Sequence, residues 1–144
     1  MQREMDPLSQ APRTVSQAPR TAAVPHRTLH LLPADRWTAW QAASAEERYA
    51  PDTFEADGFI HCTDGADEML AVANRFYAGI PGDFVAVAVD LGEIGVPWRY
   101  DDPAGIYPHV YGRLPLSALR GAVAFRRDAD GVFTGYEGDE PPFG

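Results

Sequence analysis

Two short stretches of this chain place proton-transfer groups on one side of an extended backbone. The first is "DGFIHCTDGADEML", residues 57 to 70, in which His61 is followed by Cys62 and Thr63. Successive side chains of an extended segment point to opposite faces, so His61 and Thr63 share one and Cys62 takes the other. His61 closes a short apolar run just before a helix start, where unpaired backbone N–H groups favour an anion. A ring nitrogen and a hydroxyl on one face can grip a ribose diol or a carboxylate. The alternative is a partly buried strand histidine bonded to backbone, with Thr63 merely capping the helix.

The second stretch is "IYPHVYG", residues 106 to 112. If Pro108 to Tyr111 is extended, His109 and Tyr111 project together, opposite Val110. An imidazole beside a phenol is acid/base or hydrogen-bonding equipment. The alternative is a tyrosine-rich edge strand in which Pro108 blocks edge pairing. Just before it, "WRYDDP" (98 to 103) sets Arg99 and Asp101 at alternate positions. They can share a face, and an ordinary surface ion pair explains them equally well.

Other chemistries find less support. His61, His109 and a carboxylate are of metal-ligand type, but HxH and HExxH spacings are missing, and no metal is expected. Cys62 points away from His61 and reads as a small hydrophobe rather than a nucleophile. No glycine-rich phosphate loop and no GxSxG elbow occurs. His26 belongs to the tail and His30 to the first strand, with His30 a lesser candidate.

Several elements must position these groups. TLHLL (28 to 32) alternates as a strand, and 33 to 43, with Trp37 and Trp40 three apart, reads as a helix opened by Pro33. Residues 45 to 57 read as an irregular charged loop, and Gly58 to Cys62 as a second strand. Thr63 or Asp64 is the expected N-cap of a helix carrying Met69, Val72, Ala73, Phe76 and Tyr77 on one face, ended by Gly79 and Pro81. DFVAVAVDL (83 to 91) is the clearest strand, valines on one side and alanines on the other. Shorter strands are expected at 96–100, 106–111, 121–126 and 132–136, the last two joined as a hairpin at Asp130-Gly131. The sum is an α+β domain: two helices beside a predominantly antiparallel sheet.

The chain has 144 residues, enough for one domain. SQAPRT occurs at 9 to 14 and again at 16 to 21, a polar, proline-punctuated repeat with no apolar face to bury. Residues 1–27 therefore read as a disordered extension, 28–137 as a single domain and 138–144 as an acidic flexible tail. The early arginine is not followed by the apolar run of a secretory signal, and no stretch is apolar enough to span a bilayer. Through Thr28 four arginines face Glu4 and Asp6, a net of +2, so the remainder carries −11 of the total −9. So acidic a domain repels nucleic-acid backbones. All twelve basic residues are arginine, which excludes a lysine Schiff base or a P-loop lysine. A single cysteine excludes an intrachain disulfide, and a cytoplasmic setting with a small-molecule ligand is expected.

The succession of an opening strand with "LPADRW", then "DGFIHCT", then "YPHVYGRLPL" resembles the small bacterial proteins grouped as domain of unknown function 952. The resemblance covers most of residues 28 to 126. Members usually show GFIHLS and FPHLYG, so Cys62, Thr63 and Tyr107 are mild departures, and Asp101 stands where a glutamate is frequent. The family is considered distantly similar to the ADP-ribosyltransferase superfamily, a split-sheet fold that binds NAD in a cleft. That resemblance implies cofactor binding by His61 and Thr63 on the ribose and nicotinamide, with Trp98 and Arg99 nearby and Tyr111 or Trp98 stacking on a ring. His109, Asp101 or Tyr111 would stand in for the glutamate of many such transferases and stabilise charge as the nicotinamide bond breaks. Beside this NAD or ADP-ribose enzyme stand two other readings. One is an isomerase, cyclase or hydrolase of specialised metabolism with His61 and His109 as acid and base. The other is a non-catalytic metabolite-binding domain.

Overall fold

The structure, a computed structural model, describes residues 26–137; the SQAPRT extension and the acidic tail lie outside them. In chain order the elements are β1 (Arg27–Pro33), α1 (Ala34–Gln41), β2 (Arg48–Tyr49), α2 (Phe54–Asp57), β3 (Ile60–His61) and α3 (Ala66–Tyr77). There follow β4 (Phe84–Asp90), β5 (Trp98–Tyr100), β6 (Pro108–Val110), β7 (Leu114–Pro115), β8 (Leu119–Arg127) and β9 (Phe133–Tyr136). The large sheet is antiparallel in the order β1-β4-β8-β9, and a separate three-stranded antiparallel sheet has the order β3-β6-β5. A third pairing, β2 with β7, is also antiparallel. The architecture is α+β, with mainly antiparallel sheets.

β4 is buried along its whole length because it has a partner layer on each face. Val85, Val87 and Val89 pack with Leu32, Tyr49, Ile60, Val110 and Leu114, under the small sheet and α1. Ala86 and Ala88 face Leu29, Met69, Ala73, Phe125 and Phe133, under α3. Small alanines on that face let α3 approach closely, while branched valines fill the wider gap opposite. Three layers result: α3, the large sheet, and the small sheet with α1.

Several local expectations need correction. The described residues hold three α-helices rather than two. Residues 45 to 57, expected as a loop, contain β2 and the single-turn α2. Such short elements carry no periodicity, so tertiary pairing alone reveals them. The helix N-cap is Gly65, with no side-chain cap, rather than Thr63 or Asp64. Thr63 pairs instead through its backbone with Leu29, at 2.8 and 3.0 Å. Phe76, assigned to the apolar face of α3, is exposed. β1 begins at Arg27, one residue inside the segment read as extension. The β8–β9 hairpin forms, its turn held by the Asp128 carboxylate accepting from the Asp130 and Val132 amides.

The expected strand at Gly58 shortens because Gly58 is the left-handed cap of α2 (φ 80°), its N–H bonded to the Phe54 carbonyl at 2.8 Å. Glycine adopts that backbone without a Cβ clash. The turn aims Phe59 and β3 across the small sheet.

Candidate functional site

The small sheet buries one face and exposes the other, and alternation decides which residues go where. Ile60 and Val110 face the core, so His61 and His109 face outward. Backbone register then does the rest. His61 lies directly opposite His109, and His109 directly opposite Arg99. The three nitrogen-bearing side chains form a row across β3, β6 and β5, with the His61 and His109 ring centroids 5.5 Å apart. β6 is the central strand of this sheet. The edge-strand alternative for "YPHVYG" therefore falls: Pro108 is buried, and its carbonyl accepts from the Cys62 amide at 3.0 Å.

Each imidazole is tied through one nitrogen to a carboxylate. His61 Nε2 donates to Asp57 Oδ2 at 3.0 Å, and His109 Nδ1 donates to Asp101 Oδ2 at 2.8 Å. A carboxylate only accepts, so the tethered nitrogen carries the proton and the neutral ring keeps its other nitrogen as a base. That is Nδ1 for His61 and Nε2 for His109. Asp101 is a hub: it also accepts from the Tyr111 hydroxyl and, through Oδ1, from Arg99 Nε at 2.6 Å. Partial burial pushes the Asp101 carboxyl up, but the bonds from Tyr111, Arg99 and His109 outweigh it and hold the group below its usual range. Burial, then the Asp101 bond, pushes the Tyr111 phenol up to about 12, so it serves as a donor rather than a base. The Arg99 guanidinium, held charged by Asp101, lies over the Tyr111 ring at 4.4 Å.

Phe59 completes the face. Its ring stacks on His109, centroids 4.0 Å apart and planes 16° from parallel, and lies 4.6 Å from His61. Neither Phe59 nor Asp57 was singled out from the sequence, although Asp57 stands four residues before His61 across the Gly58 turn.

The face thus gathers His61, His109, Asp101, Tyr111 and Arg99. Two other candidates lie elsewhere. Thr63 is only 4% exposed, against 58% for the His61 side chain; there the chain pairs through its backbone with the edge of β1. Trp98 sits on the opposite side of β5 from Arg99, against the core, with its ring 5.3 Å from both His26 and Tyr100. There Tyr100 donates to Asp64 at 2.5 Å, a separate cluster the sequence reading did not foresee. Cys62 is buried and its thiol pushed well up by burial, as the inward assignment implies.

His30 also gains a partner set. Its Nδ1 donates to the His61 carbonyl at 2.7 Å, and its Nε2 accepts from the Tyr49 hydroxyl at 2.6 Å. A carbonyl only accepts, so the tautomer follows from the contact. Full burial lowers this imidazole from 6.5 to about 4 and keeps it neutral. Among the described residues no group of three or more metal-type ligands converges, and no helix is long and apolar enough to cross a membrane.

A small α+β protein with a carboxylate-tethered histidine pair on the open face of a three-stranded sheet is the class this geometry defines. The chain belongs to the family described as protein of unknown function DUF952, whose model matches residues 34–122. It is similar to protein CC0527 from Caulobacter crescentus. The crystal structure of that protein is 25% identical with a TM-score of 0.60, covering 76% of this chain and 94% of that one. A solution NMR structure of the same protein gives a TM-score of 0.53 at 25% identity, covering 75% of this chain and 91% of that one. No curated protein matches the chain.

Proposed function

We propose that this protein is a small-molecule enzyme working by general acid–base catalysis, with His61 and His109 as the proton-transferring pair. The observation that carries this reading is the face-sharing of two imidazoles, each fixed by a carboxylate through one nitrogen and left with the other as a base. One ring removes a proton while the other, protonated, delivers one, which serves an isomerisation, a cyclisation or a hydrolysis. Asp101 holds the His109 tautomer and stabilises its imidazolium, and Tyr111 and Arg99 hold Asp101. We place its work in the cytoplasm, on a small molecule rather than a nucleic acid. A net charge of −9 repels phosphate backbones, and Cys62 is free and buried.

The test is a pH–rate profile on chromogenic ester and phosphodiester probes for wild type, His61→Gln and His109→Gln. A bell-shaped profile and a loss of about 100-fold in each variant are expected for an acid–base pair. Equal rates in all three proteins would sink the reading.

A second reading is an ADP-ribosyltransferase-like fold handling NAD or ADP-ribose. What favours it is the division into a large and a small sheet, with His61 on the segment passing between them. Burial of Thr63 counts against a ribose grip of the His-x-Thr kind, so we rank it second. A thermal-shift titration with NAD, ADP-ribose and nicotinamide separates the two, since a native-state ligand raises the midpoint with concentration. A rise with NAD in wild type but not in His61→Ala would put this reading first.

A further inference from the structure

We infer that His30 is the positioning residue for His61, acting through the backbone of β3; the inference rests on the acid–base reading of the site. β3 is only two residues long and has no local means of holding a shape. On one side it pairs with β6, and the Cys62 amide and Pro108 carbonyl extend that pairing by a further bond. On the other side the chain meets β1, where Leu29 and Thr63 exchange backbone bonds. His61 lies between these two attachments, and its own carbonyl is bonded by His30 of β1.

That bond fixes the plane of the peptide leaving His61 and, with it, the direction in which the imidazole projects. It also ties the catalytic strand of the small sheet to the edge strand of the large one. The second nitrogen of His30 is satisfied separately. Tyr49 bonds the far nitrogen of His30, lies edge-on to its ring at 5.3 Å, and packs edge-on against Trp40 of α1 at 5.2 Å. Both His30 and Tyr49 are almost wholly excluded from solvent. A chain of three rings, buried at His30 and Tyr49 and partly buried at Trp40, therefore runs from the first helix to the backbone of His61. A histidine needed only for filling would be replaced there by an apolar residue at less cost, because burying an imidazole requires that both nitrogens be satisfied.

The two bonds of His30 can be separated chemically. In His30→Asn the amide nitrogen lies near the position of Nδ1 and keeps the bond to the His61 carbonyl, but cannot reach Tyr49. In His30→Gln the longer amide reaches toward Tyr49 and abandons the His61 carbonyl. Tyr49→Phe removes the Tyr49 bond and leaves the other intact. The full chain and these variants would be compared by NMR with labelled histidine, reading the His61–His109 ring cross-peak and hydrogen exchange at the Cys62 amide. Neither readout requires a substrate, so a failure of the acid–base reading in turnover assays stays distinct from a failure here.

The expected result is a Cys62 exchange rate about tenfold faster in His30→Gln, with the ring cross-peak weakened and the exchange of Val87 in the large sheet unchanged. His30→Asn and Tyr49→Phe stay within about twofold of wild type at Cys62. Equal behaviour of the Asn and Gln variants would overturn the proposal, as would loosening of His61 in His30→Asn or Tyr49→Phe. Should His30→Gln fail to fold, the other two variants still decide the matter by the same criterion.

Discussion

His61 and His109 stand directly opposite each other on adjacent antiparallel strands, their rings in an edge-to-face relation 5.5 Å apart. They are 48 residues apart in the chain, yet one backbone register sets their separation. The arrangement leaves little slack, because β3 and β6 are pinned on the core side by Ile60 and Val110, both fully buried. Shifting β3 by one residue would turn His61 inward and Ile60 out to water.

Asp101 organises Tyr111 as well as His109. Replacing it by asparagine removes a charged acceptor and leaves Arg99 and His109 without their carboxylate. In Asp101→Asn the Tyr111 titration, near 12 in the parent, moves part of the way back toward 10, because burial remains while the carboxylate bond is lost. Ultraviolet titration of the phenolate in parent and variant checks this, and an unchanged Tyr111 would refute the hub.

Stability falls on the acid side through His30. Its native-state value of about 4 lies below the unfolded value of 6.5, so the unfolded chain binds the extra proton first. Stability from this group is complete above pH 6.5 and declines as pH falls toward 4, by a total on the order of 3 kcal/mol at 1.36 kcal/mol per unit. Urea unfolding of wild type and His30→Asn at pH 4.5, 5.5 and 7 measures it. The asparagine variant should show a shallower acid-side slope, and equal slopes would exclude His30 as the source.

Gly112 closes the "PHVYG" motif for a steric reason. A Cβ built there would lie 2.9 Å from the Cβ and Cγ1 of Val96, nearer than such atoms approach. Gly112→Ala is expected to cost about 1–3 kcal/mol by overpacking. The double variant Gly112→Ala, Val96→Ala should recover part of the loss in a thermal melt; no recovery would locate the cost elsewhere.

Cys62 is silent in the folded protein. Buried and with its thiol held far from thiolate, it should react with Ellman's reagent only on unfolding. Rapid labelling of the native chain would reopen a nucleophilic role.

Much of the site was legible because period-two alternation is a local property. Placing His61 opposite to Cys62, and His109 and Tyr111 together opposite Val110, needs nothing beyond an extended backbone. The two-faced β4 was legible for the same reason, its valines and alanines being sorted by alternation before any partner is known. Alternation misled at Thr63, where the chain gains β1 as a second backbone partner along its other edge; a periodic rule cannot register a neighbour 34 residues upstream. Asp57 was missed because the Gly58 turn separates it from the strand pattern; Phe59, two residues before His61 in the segment read as a strand, shares its face by alternation but carries no group that transfers a proton.

By itself, then, the sequence determined the antiparallel α+β character, the strand that fills the core and which residues of each short strand face together, because each depends on side chains a few positions apart. Tertiary structure alone decided that β6 is central rather than at an edge, that His61 meets His109 and His109 meets Arg99, and that His30 reaches the His61 carbonyl. Those facts are set by register between strands distant in sequence, and register follows from how the buried faces of whole elements fit one another.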